Sequence, residues 1–538
     1  MKKAVRMLML LTLSFSMTVG TGMWASAGET SGTEAQSENA GGVETGRNET
    51  DEVVLASVRD IVPGEGDAYY VSLSAFVWES LTMDNAGTIE PWLASSWEHN
   101  DACTEWTIHL RDDVSFTDGV KFNADTCMQN IERYKHGPLT STYTTLDINK
   151  TFPDLDTMEK VDDYTVKFIF SKPITTLEYA LADYGSPMIS PNCFDAETGA
   201  ITSTVIGTGR YVIAEHEEDQ YAVLERNEDY YGENKGKVKR FRIKAIPDSE
   251  TRYSALLSEE VLSLMDNGAI LPKAGDELCR EDERFAMDIT KSHMTHYFFL
   301  NMEEGPLSDV RMRQAISMAI DRDAINKSLY GGLLVPAYGI LSYQTPFFKE
   351  EAGEYNLEKA KELAAEVLQG ERWECRVVIR QFKAENYPLK SVAEYCAQVF
   401  KELGIDCTIE ILDNSVYKEV MASGDYDMDL TTTGLNNADP YSTLEGYLSS
   451  KTGTGRNKTY HMGYKNDQMD ALLDEVHGET DADRRMELYG EIQDLGAEEL
   501  PLIPLFYDVN LNIHNKQITG YTSEYFDGVS LPTIEWAE

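Results

Sequence analysis

The stretch that decides the fold is residues 356–412, which read NLEKAKELAAEVLQGERWECRVVIRQFKAENYPLKSVAEYCAQVFKELGIDCTIEIL. After Asn356, a residue type that caps helices well, apolar residues recur at spacings of three and four until Gly370. This pattern predicts a helix between these two residues. The apolar and β-branched residues that follow predict a strand near 376–381.

The second half of the same stretch repeats this order. Apolar residues at helical spacing run over 392–403 and end at Gly404, and apolar and polar residues then alternate over 405–411, which is strand spacing. A short helix at 415–422 and an extended segment at 426–433 are predicted next. Because strands joined by helices of this length pair in parallel, this part of the chain is predicted to form an α/β lobe.

The pattern changes outside this stretch. Apolar residues recur at helical spacing over 309–329 and over 469–495, and the second of these segments has a break near 478–481. Residues 502–513 are predicted to be extended. Residues 53–290 instead contain short strand-like runs between Gly, Asp and Pro turns. The clearest of these runs are 164–170, 211–225 and 238–245. The predicted fold class is therefore α/β, with α+β portions.

The amino-terminal segment has the pattern of a secretory signal peptide, which we place at 1–27. Three basic residues precede an apolar run over 7–19, and Ala25-Ser26-Ala27 supplies the small residues of a cleavage site. The run is shorter than the roughly 20 residues of a spanning helix, so an uncleaved anchor is the weaker interpretation. Since no cysteine precedes Gly28, there is no lipobox cysteine. We expect an exported, extracytoplasmic protein, in a periplasm or at the cell surface.

Residues 28–52 are rich in Gly, Ser, Thr and Glu, with Val43 as the one large apolar residue. A segment of this composition cannot bury enough apolar surface to offset the entropy lost on ordering. It is predicted to be a flexible acidic linker, and the folded part is predicted to begin at Val53.

Length and charge narrow the function classes. The chain has 538 residues, too many for one hydrophobic core, with 47 Lys and Arg against 92 Asp and Glu, a formal net charge of −45. Such a negative surface repels phosphate backbones and anionic lipid head groups. We therefore expect no binding of nucleic acid.

The seven cysteines are scattered and include no C-x-x-C pair. Cys375 and Cys407 both fall in predicted strands of one region and are candidates for a disulfide. Buried thiols that act as small apolar side chains are the other interpretation. A metal site built from these cysteines is not expected.

Nine short motifs occur in a recognisable order. They are PWLASSW (91–97), LRDDVSFTDGVKF (110–122), VDDYTVKFIF (161–170), IGTGRY (206–211), LERNEDYYG (224–232), IPDSETRYSAL (246–256), LSDVRMRQAISMAIDRDAI (307–325), ADPYSTL (438–444) and ELPLIPLFY (499–507). In these motifs and in their order, the chain resembles the extracytoplasmic solute-binding proteins of ABC importers, in the peptide/nickel-binding family. Gly207-Thr208-Gly209 precedes a strand-like run, so a tight backbone bend is its predicted role.

The resemblance implies a two-lobed periplasmic-binding-protein-like fold of type II, of the large peptide-binding class, with a ligand cleft between the lobes. Lobe I would be 53–294 plus 502–538, and lobe II would be 295–501. The protein would be the substrate-binding component that captures a small solute and delivers it to the permease and ATPase subunits of an importer. A monomer without a cofactor is expected.

The resemblance also implies ligand contacts. An acid in the Asp439 loop pairs with the amino group of the peptide in related proteins, and Arg456 could bind a carboxylate. Tyr69 and Tyr70 lie where relatives have cleft walls, and Tyr143 lies in a polar loop where relatives contact the ligand. Tyr441 and Asn457, in the second lobe, are the remaining predicted contacts.

Several alternatives remain open at this point. A nickel or other metal-chelate binding protein of the same family is the second interpretation of the ligand, after a short peptide. An exported hydrolase is less favoured, because the chain has no H-E-x-x-H motif and no G-x-S-x-G nucleophile elbow. A binding protein that feeds a sensory receptor is the third function class.

Overall fold

The computed structural model describes residues 51–62, 76–85, 88–133, 152, 154–182, 187–266, 269–343, 345–434, 440–453, 455–520 and 533–538. The predicted signal peptide and almost all of the predicted linker lie outside these ranges. The first strand begins at Glu52, next to the predicted start of the folded part.

The strands in the described residues are β1 (Glu52–Ser57), β2 (Thr82–Asn85), β3 (Thr88–Pro91), β4 (Ala94–His99), β5 (Glu105–Leu110), β6 (Leu155–Asp162), β7 (Thr165–Phe170), β8 (Tyr211–Glu217), β9 (Tyr221–Arg226), β10 (Arg240–Ala245), β11 (Ser263–Leu264), β12 (Phe285–Leu300), β13 (Val335–Pro336), β14 (Trp373–Arg380), β15 (Ile405–Leu412), β16 (Met428–Gly434), β17 (Leu502–Asn515), β18 (Ile518–Thr519) and β19 (Glu535–Trp536).

The α-helices in the same ranges are α1 (Ala124–Arg133), α2 (Leu177–Ala180), α3 (Ser249–Leu257), α4 (Pro272–Glu281), α5 (Val310–Ala319), α6 (Arg322–Leu329), α7 (Leu357–Leu368), α8 (Gln381–Asn386), α9 (Leu389–Phe400), α10 (Asn414–Ser423), α11 (Tyr441–Leu448), α12 (Arg456–Thr459), α13 (Asp467–Gly478) and α14 (Ala482–Glu499). Short 3₁₀ turns occupy Pro191–Cys193, Pro306–Ser308 and Lys401–Leu403.

The stretch 356–412 folds as its pattern predicts. The Asn356 side chain accepts a hydrogen bond from the Lys359 amide at the start of α7, and Gly404 has a left-handed conformation after α9. Strand β14 pairs in parallel with both β15 and β16. The α/β character of this region is therefore confirmed. Strand β14 begins three residues before the predicted boundary, at Trp373.

Two predicted elements are each divided in the structure. The predicted helix 309–329 is two helices, because Ile320 is extended and the Asp321 side chain caps α6 by accepting a hydrogen bond from the Ala324 amide. The predicted run 211–225 is a hairpin of β8 and β9, which turns near Asp219, a residue with φ of 55°. Both predictions were wrong about continuity because one polar residue redirects the backbone.

One large sheet extends through the described part of the molecule. Its strand order is β15-β14-β16-β12-β17-β11-β1-β10-β9-β8, with β13 added beside β17. A separate four-stranded sheet has the order β4-β5-β7-β6. The central pair, β12 and β17, therefore connects the parallel α/β region to the strand-rich region.

Two large hydrophobic cores lie in these two regions. The first core includes Val53, Trp106 and Phe241, together with Ile534 near the carboxyl terminus. The second core draws its buried residues from 297–511. We call the regions around these cores the first and second lobes.

The two long central strands cross from one lobe to the other. From Phe285 to Lys291, β12 pairs with the carboxyl-terminal half of β17, and from Thr295 to Phe299 it pairs with the amino-terminal half. The pairing register shifts between Lys291 and Thr295. An irregularity of this kind bends a strand pair locally, which suits a hinge between two lobes.

Candidate functional site

A cavity of about 410 Å³ lies between the two lobes. It is bounded from the first lobe by residues after β1, in the turn of the β8–β9 hairpin and after β10, and from the second lobe by α8. Its lining residues are Val58, Arg59, Asp60, Asp219, Ala245, Pro247, Phe382, Glu385 and Asn386. Since β1, β10 and β14 all end at this cavity, it lies where ligands commonly bind in α/β sheets, outside the carboxyl ends of strands.

The first-lobe wall of the cavity is fixed by Asp60. Its Oδ2 lies 2.7 Å from His216 Nε2 and accepts a hydrogen bond from the Asp219 amide at 2.9 Å. Its Oδ1 accepts a hydrogen bond from the Val62 amide at 3.0 Å. Because both of its carboxylate oxygens make these contacts, Asp60 holds the loop after β1 and the turn of the β8–β9 hairpin in place. Asp60 also gives this wall of the cavity a negative charge.

The second-lobe wall is positioned by Arg380, the last residue of β14. Its Nε donates to Asn414 Oδ1 at 2.6 Å, and its guanidinium lies against the rings of Phe382 and Tyr417. On the neighbouring helix, Asn386 Nδ2 donates to the Phe382 carbonyl at 2.8 Å, which fixes the end of α8 at the cavity. Residues of these types are not distinctive in the sequence. Their one sequence signal is position, at the end of a predicted strand and directly after it.

Arg456, a predicted ligand contact, lies on α12 among aromatic rings. It donates a hydrogen bond to Tyr447 Oη, and its guanidinium carbon is 5.1 Å from the Tyr447 ring centre and 5.5 Å from that of Tyr460. Hence Arg456 is held by cation–π contacts within the second lobe.

Asp429, on β16, is a buried carboxylate close to Arg456. Its Oδ2 accepts a hydrogen bond from Tyr417 Oη at 2.8 Å, whereas its Oδ1 accepts none from the described part of the chain. Burial raises the pKa of Asp429 to about 7, and the hydrogen bond from Tyr417 and the charge of Arg456 oppose this rise. An acid within the buried run MDLTTT (428–433) is the sequence signal that could have identified this group.

Asn457, another predicted contact, makes its hydrogen bonds within the second lobe. Its Nδ2 donates to the carbonyls of Ser449 and Tyr464, each at 2.9 Å, and its Oδ1 accepts from the Tyr464 amide at 2.9 Å. These bonds join the residues around α11 to those before α13. The geometry gives Asn457 a structural role.

Tyr441, the first residue of α11, stacks on the His477 ring, with 4.4 Å between the ring centres. His477 Nε2 in turn lies 3.6 Å from Asp154 Oδ2, which belongs to the first lobe. Tyr441 therefore lies next to a contact between the lobes. The other four predicted contacts, Tyr69, Tyr70, Tyr143 and Asp439, lie outside the described residues.

Two further findings concern the described ranges only. No three His, Cys, Asp or Glu side chains there converge so that they could hold a metal ion. None of the helices there is both long and apolar enough to cross a membrane.

Residues 88–455 match the family model described as "Bacterial extracellular solute-binding proteins, family 5 Middle". The chain belongs to this family. The predicted resemblance is confirmed, and this family 5 protein belongs to a class of extracytoplasmic binding proteins rather than enzymes.

Curated relatives match most of the family 5 chain. Heme-binding protein A of Haemophilus influenzae is 27% identical over 491 residues, which cover 86% of this chain and 87% of the relative. The probable D,D-dipeptide-binding periplasmic protein DdpA of Escherichia coli is 25% identical over 468 residues, which cover 84% of this chain and 86% of the relative.

Solved structures share the fold of the family 5 chain. The periplasmic binding protein DppA from Helicobacter pylori, in complex with the peptide STSA, gives a TM-score of 0.74 at 22% identity, with 90% of this chain and 98% of that chain covered. NikA from Brucella suis, in complex with Fe(III)-EDTA, gives a TM-score of 0.79 at 22% identity, with 90% of this chain and 100% of the NikA chain covered. The predicted two-lobed, type II periplasmic-binding-protein fold is confirmed.

Proposed function

We propose that this family 5 protein is the receptor of an ABC importer, that it captures a short peptide between its lobes, and that it delivers the peptide to a membrane permease. The observation that carries the proposal is the cavity to which both lobes contribute walls. A ligand held there contacts both lobes at once and favours the closed arrangement by its differential affinity.

The charges of the cavity favour a zwitterion. Arg59 supplies a positive charge, and Asp60, Asp219 and Glu385 supply negative charges, beside the apolar surface of Phe382. A short peptide carries an ammonium, a carboxylate and side chains, which match these three kinds of surface. The name of the D,D-dipeptide-binding relative and the peptide bound to DppA agree with this ligand class.

The lobes are proposed to be 53–294 plus 502–538, and 295–501. The two hydrophobic cores support the boundary near 295, because the first takes residues up to 265 and the second begins at Tyr297. On the carboxyl-terminal side the second core continues from Leu502 to Leu511, beyond the proposed boundary, and the first core takes up again at Ile518. The register shift before Thr295 supports a hinge in β12.

The predicted ligand contacts are retained as proposals with different roles. Asp439, which follows β16 in the sequence, is proposed to bind the ammonium, with Tyr69, Tyr70 and Tyr143 proposed as residues of the cleft walls. For the second lobe we propose that Tyr441 acts at the edge of the cleft. Since Arg456 and Asn457 are engaged within the lobe, they are proposed to position the ligand-binding loops.

Export and assembly complete the proposal. The signal peptide 1–27 would direct the chain out of the cytoplasm, and without a lipobox cysteine the mature protein would not be acylated. It would act as a monomer with the permease and ATPase subunits of an importer.

A metal chelate is the second candidate ligand. The structural similarity to NikA in complex with Fe(III)-EDTA and the similarity to a heme-binding protein both concern proteins of this family that take a metal within an organic ligand. Such a ligand would also occupy the cavity between the lobes.

The decisive experiment identifies the ligand. The protein is purified under native conditions and denatured, and the released small molecules are analysed by mass spectrometry. Calorimetry then uses di- to pentapeptides, hemin and a nickel–histidine complex as probes. Release of intact peptides and one peptide bound per chain are expected. Binding of hemin or nickel–histidine alone would replace the peptide proposal with the chelate, and chemical conversion of the peptide would reject a binding role.

A variant tests whether the cavity is the site. Phe382→Trp adds volume at the cavity wall and is expected to weaken peptide binding about tenfold or more. Tyr355→Trp, at an exposed aromatic residue of the second lobe outside the cavity lining, is the matched control and should keep the affinity of the parent. Equal affinities in the two variants would place the ligand elsewhere.

A further inference from the structure

Two thiols face each other in the second lobe. Cys375 on β14 and Cys407 on β15 are direct partners in the parallel pairing of these strands, and neither forms a disulfide in this structure. Side chains of paired residues in neighbouring strands point to the same face of a sheet. We propose that Cys375 and Cys407 form an oxidisable dithiol, and that its disulfide fastens β15 to β14 in the exported protein.

The backbone geometry suits such a bond. Neighbouring strands lie about 4.8 Å apart, which is within the roughly 4.4–6.8 Å that separate the Cα atoms of disulfide-bonded cysteines. The strands pair over their whole length, from Trp373↔Ile405 to Arg380↔Leu412. Formation of the bond therefore requires side-chain rotation and no change of register.

The surroundings of the two sulfur atoms differ. Cys375 is buried in the second core, and a hydrogen bond with the Cys407 side chain raises the pKa of its thiol. Cys407 packs against the edge of the same core but is partly exposed. This arrangement makes Cys407 the sulfur that an external oxidant reaches first, and Cys375 the resolving thiol.

The reaction balances with a disulfide oxidant such as oxidised glutathione. The Cys407 thiolate attacks one glutathione sulfur, which forms a mixed disulfide and releases one glutathione thiolate. The Cys375 thiol then loses its proton and attacks the sulfur of Cys407, which forms the Cys375–Cys407 bond and releases the second glutathione thiolate. The cysteine pair loses two electrons and the oxidant gains them.

The position of the pair gives the bond a structural consequence. In the sheet of the described residues, β15 is the terminal strand, bonded on one side to β14. The strand continues into Asp413, which caps α10 by accepting hydrogen bonds from the Ser415 and Val416 amides. A covalent link would hold this edge of the lobe while the lobes open and close. Extracytoplasmic compartments are those in which such bonds persist.

A third thiol in the same lobe offers a different disulfide, from which the proposed one can be distinguished. Cys396 on α9 is buried in the same core and lies near enough to Cys407 for the charge of one to affect the other. Trypsin separates the three cysteines, into the peptides 373–376, 391–401 and 402–418. A linked pair of peptides therefore identifies the bond without ambiguity.

The test treats the full-length folded protein with oxidised glutathione, alkylates the remaining thiols and maps the tryptic peptides by mass spectrometry. The expected product links 373–376 to 402–418, and the intact protein loses two hydrogen atoms. Two alkylated thiols at these positions, or a link between 391–401 and 402–418, would overturn the proposal. Because the parent protein is used, the result does not depend on whether a variant folds or on the identity of the solute.

Two variants test the order of the steps. Cys375→Ser should stop at a glutathione adduct on Cys407, whereas Cys407→Ser should leave Cys375 unmodified. Cys279→Ser, which removes another partly exposed thiol, should form the linked peptides in the same yield as the parent. An adduct on Cys375 in the Cys407→Ser variant would contradict the assigned order.

Discussion

Asp154 Oδ2 and His477 Nε2 lie 3.6 Å apart and join the two lobes. Asp154 stands between Phe152 and Leu155, which pack in the first core, and His477 follows Val476 of the second core. The Asp154 and His477 side chains are 22% and 20% exposed, so solvent only partly screens their interaction. This contact requires the two lobes to lie against each other.

Loss of this contact should weaken ligand binding without unfolding either lobe. His477→Ala is expected to reduce ligand affinity by up to about fivefold, since a partly exposed contact between polar side chains contributes about 1 kcal/mol or less. Calorimetry with the ligand found on the purified protein measures the effect. His461→Ala is the control, because His461 faces Glu303 at 3.1 Å within the second lobe. Equal losses in both variants would show that the effect does not arise between the lobes.

Asp429 should make the stability of the protein depend on pH. Its folded pKa of about 7 lies above its ordinary value of 3.8, so the folded protein retains a proton that the unfolded chain releases. The free energy of unfolding therefore falls as the pH rises from about 4 to about 7, by at most on the order of 4 kcal/mol from this group. Asp429→Asn imitates the protonated acid and should be more stable than the parent, with a larger difference at pH 8 than at pH 5.

Urea unfolding of the parent and of Asp429→Asn at these two pH values measures this dependence. Glu362→Gln, which neutralises an acid on α7 far from β16 in the sequence, serves as the control and should show a pH dependence close to that of the parent. A variant that is less stable than the parent at pH 8 would mean that the charge pairing of Asp429 with Arg456 outweighs the cost of burial.

The sequence predicted helices and strands well where periodicity is local. The α7–β14 and α9–β15 units follow from apolar spacing and from end signals at Asn356 and Gly404. The arrangement of β12 beside β17 could not be predicted in this way, because pairing of segments about 200 residues apart leaves no periodic signal in either segment. The same limit applies to the joining of both lobes by one continuous sheet.

The candidate site was less predictable than the fold. The cavity brings Val58–Asp60 against α8, which are separated by more than 300 residues, and neither segment carries a distinctive motif. Arg456 was predicted to bind a carboxylate, but its fixation by Tyr447 and Tyr460 depends on packing that spacing does not encode. Local chemistry predicts which residues can bind, and the tertiary fold determines which of them are free to do so.

Glu79 should be essential for the stability of the first lobe. This buried carboxylate accepts hydrogen bonds from Trp92 Nε1, Thr208 Oγ1, Tyr230 Oη and Tyr231 Oη at 2.6–3.0 Å. Glu79→Ala removes the acceptor of all four donors and should cost about 3 kcal/mol or more, measured as the free energy of unfolding in urea. Tyr231→Phe removes one donor and should cost about 1 kcal/mol. Similar losses in the two variants would mean that the donors find other acceptors.

Gly207 should tolerate no side chain, for a reason other than the tight bend that the sequence predicts. A Cβ at this position would lie 1.9 Å from the Val77 carbonyl oxygen, so the glycine is required by close approach of two backbone segments. Gly207→Ala must displace one of these segments and should lower the free energy of unfolding by about 3 kcal/mol or more. At Gly490, inside α14, an added Cβ would meet no neighbouring atom of the described residues within 4 Å, and Gly490→Ala should raise the free energy of unfolding by about 0.5–1 kcal/mol. Urea unfolding of both variants measures these two changes in the free energy of unfolding. An unchanged midpoint for Gly207→Ala would show that the two backbone segments separate at little cost.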